Sequence, residues 1–196
     1  MELGLLYSGG KDSTLAALLL EEFYDVTLTT AQFGISDDWK HARKTAETVG
    51  FEFERLELDP DVADEAVEII REDGFPRNGI QHVHLHALEQ LAEREFDAIA
   101  DGTRRDDRVP TVSRAQAQSL EDRYGVDYIA PLSGFGRTAV DRLVESHLEV
   151  TVGPSEQIDR ADYEAELRTL IVEDDGPAAV GDLFPDHEQT YVTDVR

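Results

Sequence analysis

Short apolar runs alternate with helical patterns over the first two-thirds of the chain. The apolar runs predict strands at Leu3–Tyr7, Val26–Phe33, Phe51–Leu58, Ala98–Ala100 and Asp127–Ala130. Apolar positions three and four residues apart predict helices at Ser13–Phe23, Asp37–Val49, Asp61–Asp73, Ile80–Arg94 and Val112–Tyr124. Because strands that alternate with helices form parallel sheets, we expect an α/β fold: a doubly wound, Rossmann-like, five-stranded parallel sheet with helices on both faces.

The last third of the chain has a different pattern. Two helical patterns and one short strand pattern follow, at Thr138–His147, Arg160–Glu173 and Thr190–Val195. We therefore expect one domain over residues 1–137 and a C-terminal helical extension with a short strand over residues 138–196, packed on that domain.

The chain has 196 residues and no cysteine. It is long enough to bury a core of its own. No apolar run approaches the roughly 18 residues of a membrane span, and no basic-then-apolar leader is present, so we expect a cytoplasmic protein that does not enter a membrane. The missing cysteine excludes disulfides, cysteine-ligated zinc and iron–sulfur sites, and a persulfide carried on this chain.

Acidic residues dominate the composition. The 43 Asp and Glu residues against 18 Lys and Arg residues give a formal net charge of -25. Such charge repels itself in dilute salt, but at molar ionic strength the Debye length falls to about 3 Å. The composition resembles that of halophilic proteins, with a charge-rich mesophilic surface as the alternative. Only three lysines occur, Lys11, Lys40 and Lys44.

The densest local signal is the stretch Ser8-Gly9-Gly10-Lys11-Asp12-Ser13-Thr14 between the first predicted strand and the first helix. Glycines in such a turn let successive amide groups point at an anion, while the following helix adds the positive end of its dipole. Lys11 adds a point charge suited to phosphate. The spacing is not that of a Walker A loop, because Asp12 follows the lysine.

This stretch resembles SGGxDS, the signature of the PP-loop, or N-type ATP pyrophosphatase, superfamily, whose fold is adenine nucleotide alpha hydrolase-like. Members cleave ATP between the α- and β-phosphates, so the resemblance implies ATP as a ligand. It implies that the nucleotide-binding residues include Ser8, Gly9, Gly10, Lys11, Asp12, Ser13 and Thr14. Lys11 and Asp12 are also implied as catalytic.

A second charged cluster, Asp101-Gly102-Thr103-Arg104-Arg105-Asp106-Asp107-Arg108, follows the fourth predicted strand. In a doubly wound sheet, ligands bind where the winding reverses, beyond the carboxyl ends of the strands. Arginines suit phosphates and carboxylates suit Mg²⁺. A loop of mutually paired surface charges is the alternative.

The second cluster also resembles the G-x-x-x-D-D element of PP-loop enzymes, with Gly102, Asp106 and Asp107 in matching positions. We expect Gly102 and Thr103 to bind nucleotide and Arg104 and Asp107 to be catalytic. The expected Mg²⁺ ligands are Asp12, Asp106 and Asp107. The pair Arg104-Arg105 departs from the pattern, because many relatives carry histidine or asparagine nearby.

Two single residues complete the expected nucleotide site. Phe33 ends the second predicted strand, where the family leaves an apolar contact and backbone groups for adenine; core packing is the alternative. Arg137 follows the fifth strand and could reach phosphate or the second substrate, and a surface arginine at a helix start is its alternative.

Three histidines, His82, His84 and His86, suggest a weak metal signal, since the first and last would share one helical face. No cysteine completes a ligand set, and an amphipathic helix with histidines on its flank explains the pattern as well.

The segments Asp162-Tyr163-Glu164 and Phe184-Pro185-Asp186-His187-Glu188-Gln189, together with the small size, resemble an archaeal PP-loop family related to a subunit of tRNA 5-methylaminomethyl-2-thiouridylate enzymes. The resemblance implies cleavage of ATP to AMP and pyrophosphate, which adenylates an acceptor for attack by a nitrogen or sulfur nucleophile. A tRNA base is the leading acceptor, and Arg104, Arg105, Arg108 and Arg114 give a local positive field that suits RNA.

Two other functions stay open: an ATP-dependent amide or ammonia ligase, and a non-catalytic nucleotide-binding partner subunit. Because this chain has no cysteine, thiolation would require a separate sulfur-donor protein, free sulfide or a cluster held elsewhere. An amine donor avoids that requirement. The sequence leaves the oligomeric state open, a homodimer included.

Overall fold

The structure is a computed structural model that describes residues 1–154, 158, 161–185 and 188–196. Its strands are β1 (Glu2–Leu6), β2 (Asp25–Gln32), β3 (Glu52–Glu57), β4 (Ala98–Ala100), β5 (Asp127–Ile129), β6 (Leu148–Pro154) and β7 (Glu188–Val195). Its helices are α1 (Lys11–Leu20), α2 (Trp39–Val49), α3 (Pro60–Asp73), α4 (Arg77–Ala92), α5 (Arg114–Tyr124), α6 (Arg137–His147), α7 (Tyr163–Asp175) and α8 (Pro177–Leu183).

The central sheet has five parallel strands in the order β3-β2-β1-β4-β5. The chain winds outward in one direction from β1 to β3, then returns to pair β4 with the other side of β1. The predicted doubly wound parallel sheet is therefore confirmed, and the reversal of winding falls between β1 and β4.

The sheet carries a hydrophobic core on each face. Leu3, Leu5 and Tyr7 of the first strand segment pack with α1, α2 and α6, whereas Leu6 packs on the opposite face with α3, α4 and α7. This alternation follows from the two-residue period of a strand. Helices on both faces are thus confirmed, and none of the helices in the described ranges is both long and apolar enough to cross a membrane.

Several helices begin at residues other than those predicted, and capping explains one of these differences. The helix predicted from Val112 begins at Arg114, because the Ser113 side chain accepts a backbone hydrogen bond in a capping box. The helix predicted from Ile80 begins earlier, at Arg77.

The C-terminal region forms a second, two-stranded antiparallel sheet from β6 and β7. Strand β6 and helix α8 are not among the predicted elements. The helix predicted from Arg160 begins at Tyr163; Arg160 itself lies outside the described residues, as do Asp186 and His187. Strand β7 packs against α1 and α2, so the C-terminal residues lie directly beside the start of the chain.

Helices α3 and α4 approach each other closely at Gly79. A Cβ atom on Gly79 would lie 2.6 Å from the Ala66 carbonyl oxygen and 2.6 Å from Cγ1 of Ile70. Gly79→Ala should therefore lower the free energy of unfolding by about 1–3 kcal/mol through overpacking, although alanine favours a helix. Urea denaturation in concentrated KCl measures the change.

Gly181→Ala is the matched control, because Gly181 also lies in a helix but has open space around its Cβ position. It should stabilise by up to about 1 kcal/mol through helix propensity alone. Equal effects of the two substitutions would show that the α3–α4 contact is not as close as described.

Candidate functional site

A pocket of about 710 Å³ opens beyond the carboxyl ends of β1 and β4. Both predicted segments line it: the first contributes Ser8, Lys11, Asp12 and Ser13, and the second contributes Gly102, Thr103, Arg104 and Asp107. Arg137 also lines the pocket. The two charged stretches, separated by almost ninety residues in sequence, therefore form one site because β1 pairs with β4.

The glycine turn leads directly into α1. Gly9 has a φ of +79°, which few other residues adopt, whereas Gly10 has an ordinary φ of -78° and precedes the helix. Gly10, the N-cap residue, supplies no side-chain hydrogen bond to this helix end. The first amide groups of α1 thus lie beside the pocket with the positive end of the helix dipole, an arrangement that favours an anion.

The C-terminal strand holds this turn in place. The backbone amide of Val192 donates to the Gly9 carbonyl at 3.2 Å, and the amide of Lys11 donates to the Thr190 hydroxyl at 3.3 Å. The amide of Ala161 donates to the Ser8 carbonyl at 3.4 Å. Residues from the last forty positions therefore fix the conformation of a loop near the N-terminus.

Gly102 brings the two segments into direct contact. A Cβ atom on Gly102 would lie 2.8 Å from the amide nitrogen of Ser13 and 2.9 Å from its Cα. Any larger residue at this position would push against backbone rather than a flexible side chain. The glycine of the second cluster is thus required for its approach to the start of α1.

Lys11 lies between two carboxylates at the pocket wall. Its Nζ is 2.8 Å from Asp12 Oδ1 and 3.2 Å from Asp141 Oδ1, and its side chain is 15% exposed. Asp141, on α6, is absent from the sequence predictions. These partners hold the ammonium group where an anionic ligand in the pocket can meet it.

Arg104 lies between the two segments. Its guanidinium group is 2.6 Å from Asp107 Oδ1 and 3.6 Å from Asp12 Oδ2. Although partial burial lowers the pKa of Arg104, the hydrogen bond to Asp107 and the nearby carboxylates raise it overall above its ordinary value. The arginine is therefore a fixed positive charge beside Lys11.

The three expected metal ligands are placed differently. Asp12 and Asp107 both line the pocket and flank Arg104. Asp106 does not line the pocket, although it lies 3.9 Å from Arg104 Nε. It accepts a hydrogen bond from the Arg137 amide at 3.1 Å, and that bond is the main cause of its lowered pKa. No group of three or more carboxylates and histidines arranged to hold a metal occurs among the described residues. Asp12 and Asp107 nevertheless fit Mg²⁺, which usually takes one or two carboxylates together with substrate phosphates.

Four of the expected nucleotide contacts do not line the pocket: Gly9, Gly10, Thr14 and Phe33. Thr14 is fully buried, and its hydroxyl donates to the Gly10 carbonyl at 2.9 Å while lying 3.1 Å from the Tyr7 hydroxyl. Phe33 lies just past the end of β2 in the core, and its amide donates to Glu166 Oε2 at 2.6 Å. Its amide is therefore taken by a side chain from α7, and the core-packing alternative fits Phe33.

The histidines of α4 do not form a metal site with one another. His82 pairs with Glu65 at 3.0 Å on the surface. His84 is buried, with Nε2 2.9 Å from Asp101 Oδ2 and Nδ1 2.7 Å from the Tyr163 hydroxyl. The zinc interpretation therefore finds no support in the described residues.

Several pocket residues were not predicted as part of the nucleotide site, although His84 carried a weak metal signal and Tyr163 lies in a segment that resembles the family. His84, Asp141, Tyr163 and Thr190 all line the pocket, and they come from α4, α6, the start of α7 and β7. Each belongs to an ordinary helical or strand pattern in the sequence. Only the tertiary fold shows that they meet the glycine turn.

Comparisons with known proteins agree with this fold. An uncharacterized protein of Methanocaldococcus jannaschii is 39% identical over 198 residues, which cover 100% of this chain and 97% of that protein. A crystal structure from the same organism, described as a predicted subunit of tRNA methyltransferase, matches with a TM-score of 0.90 and 39% identity over 100% of this chain and 98% of that chain. A model described as a family of unknown function, DUF7411, matches residues 1–194. The chain therefore belongs to the DUF7411 family.

Proposed function

We propose that this protein binds ATP in the pocket and cleaves it to AMP and pyrophosphate, so that an acceptor, a tRNA base, becomes adenylated for nucleophilic substitution. The observation that carries this proposal is the meeting of the PP-loop-like turn and the charged second segment in one pocket, with Gly102 packed on Ser13. The reaction forms a bond between an acceptor oxygen and the α-phosphorus, and it breaks the bond from that phosphorus to the bridging oxygen.

The charged end of the pocket suits a triphosphate. The amide of Lys11 is taken by the Thr190 hydroxyl, but the next amides of α1, those of Asp12 and Ser13, and the hydroxyls of Ser8 and Ser13 can donate hydrogen bonds to phosphate oxygens. Lys11 and Arg104 supply positive charge where negative charge grows on the departing pyrophosphate. Asp12 and Asp107 would hold Mg²⁺, and that ion would neutralise phosphate charge when bound.

The pocket also has apolar residues in its wall, and these suit a planar base. Its wall includes Leu6, Ala31, Ile80, Val109 and Pro110. Binding sites for nucleotides commonly combine such an apolar wall with a few convergent polar groups. The pocket therefore offers polar groups for the phosphates of ATP and apolar groups for its base.

RNA as the acceptor is supported by exposed residues that neighbour the pocket-lining Arg104 and Asp107 in the chain, and by the structural neighbour. Arg105 and Arg108 are exposed, and neither forms an ion pair with any described residue in this strongly acidic chain. Phe135 is exposed nearby, where a base can stack. The structural neighbour from Methanocaldococcus jannaschii is described as a predicted subunit of tRNA methyltransferase.

A second candidate function is a nucleotide-binding subunit that leaves ATP intact. It is favoured by the neighbour's description as a predicted subunit and by the pairing of Lys11 and Arg104 with carboxylates. A partner protein would then supply the catalytic groups and, where sulfur or an amine is transferred, the donor.

Product analysis of α-labelled ATP, in concentrated KCl with Mg²⁺, separates these functions. We expect AMP to form, and its rate to rise when bulk archaeal tRNA is added. AMP formation that depends on ammonia rather than tRNA would favour a ligase. ADP as the only product would contradict the proposed bond cleavage, and intact but bound ATP would favour the partner subunit.

Lys11→Gln should weaken ATP binding at least about tenfold, because it removes a charge-assisted contact worth about 1.5–3 kcal/mol. Equilibrium dialysis with labelled ATP gives the dissociation constant. Lys44→Gln is the control, since Lys44 is an exposed lysine on α2 that does not line the pocket. Equal affinities of the two variants would place the phosphates elsewhere.

Asp107→Asn should raise the Mg²⁺ concentration that gives half-maximal AMP formation by about tenfold, because it removes a charged ligand. Asp12→Asn should act in the same direction. Asp122→Asn, an exposed aspartate on α5, controls for the loss of one negative charge. An unchanged Mg²⁺ requirement in both pocket variants would remove these residues as metal ligands.

A further inference from the structure

A chain of polar side chains leads from the pocket wall into the protein interior. The Tyr163 hydroxyl is 2.7 Å from Nδ1 of His84, and Nε2 of His84 is 2.9 Å from Oδ2 of Asp101. Asp101 is 1% exposed and His84 is 4% exposed. The three residues come from α7, α4 and the end of β4, and all three line the pocket.

Asp101 is held as a carboxylate by several donors. Thr103 donates to Oδ1 from its amide at 2.9 Å and from its hydroxyl at 2.6 Å, and the Tyr128 hydroxyl donates to Oδ2 at 2.9 Å. Burial raises the pKa of Asp101, but its hydrogen bonds and the adjacent His84 lower it overall below the ordinary value. An ionised carboxylate only accepts hydrogen bonds.

Asp101 determines which ring nitrogen of His84 donates a hydrogen bond. Because Asp101 only accepts, Nε2 of His84 carries a proton and donates it in the hydrogen bond. In the neutral imidazole Nδ1 is then the free acceptor, and the Tyr163 hydroxyl donates to it. If a proton moves from Tyr163 to Nδ1, the resulting imidazolium lies against the Asp101 carboxylate, which stabilises it.

Tyr163 is suited to pass a proton rather than to keep a negative charge. Burial, and then the nearby Asp162, Asp101 and Glu164, raise the pKa of Tyr163 well above its ordinary value. A lasting tyrosinate is therefore disfavoured. A hydroxyl that gives its proton to His84 must take another from the pocket side.

We propose that Tyr163, His84 and Asp101 form a proton relay that deprotonates an amide-type acceptor, one with an N–H beside its carbonyl, as the carbonyl oxygen attacks the α-phosphorus of ATP. This inference rests on the proposed adenylation. The acceptor N–H proton moves to the Tyr163 oxygen while the Tyr163 hydroxyl proton moves to Nδ1 of His84. Pyrophosphate leaves, and the acceptor becomes an O-adenylate.

His84→Gln and His84→Ala test the relay against a merely structural role. Glutamine can donate to Asp101 and accept from Tyr163, but it cannot take up the proton. The rate of AMP formation at saturating ATP, measured with bulk archaeal tRNA from a strain lacking the gene, should fall about 100-fold in both variants. The KM for ATP should change less than about twofold in His84→Gln.

A structural role gives a different result: His84→Gln would keep the wild-type rate and only His84→Ala would lose it, which would overturn the relay. His82→Gln is the matched control on the same helix, because His82 is a surface residue that pairs with Glu65. Its rate should equal that of the wild type.

Tyr163→Phe should also lower the rate of AMP formation about 100-fold without weakening ATP binding. Tyr24→Phe is the control, because Tyr24 does not line the pocket, and it should keep the wild-type rate. A wild-type rate in Tyr163→Phe would overturn the relay and leave the proposed adenylation standing. If the wild-type protein itself forms no AMP, the proposed function fails, and the relay fails with it. Thermal unfolding confirms that each variant is folded.

Discussion

The pairing of β1 with β4 is the constraint on which the rest of the site depends. It makes the winding of the sheet reverse at this point, so the turns that follow the two strands leave the same edge side by side. Gly102 then allows the second turn to touch the backbone of Ser13. Without this contact, Arg104 would not lie between Asp12 and Asp107, and no ion pair of Arg104 would join the two segments.

Acidic residues of this strongly negative chain hold the pocket cations Lys11 and Arg104 in place. Lys11 and Arg104 are each held between carboxylates, so their positions are fixed before a ligand arrives. Side chains that are already ordered lose little conformational entropy on binding. The three pocket carboxylates that hold these cations are Asp12, Asp107 and Asp141.

The parts of the structure that were predictable are those whose signal is local. The five strands and the glycine turn are continuous patterns, so the sheet and the placement of Ser8, Lys11 and Ser13 follow from the sequence. Strand β6 has a local signal that the prediction missed, since Leu148, Val150 and Val152 alternate with polar residues directly after the helix that ends at His147. Its antiparallel pairing with β7 is long-range and could not be predicted from that pattern. The role of Phe33 was not predictable from local sequence either, because its amide donates a hydrogen bond to Glu166, which is distant in the chain.

The C-terminal third belongs to the site rather than being an addition to it. Residues beyond 160 hold the glycine turn, occupy the amides after β2 and place Tyr163 on the pocket wall. Glu166 alone accepts from three amides, those of Phe33, Ile35 and Ser36. The superfamily resemblance covers only residues 1–137, whereas the family model extends to residue 194. What distinguishes this family from other proteins with a similar glycine turn is therefore to be sought in α7 and β7, which complete the pocket.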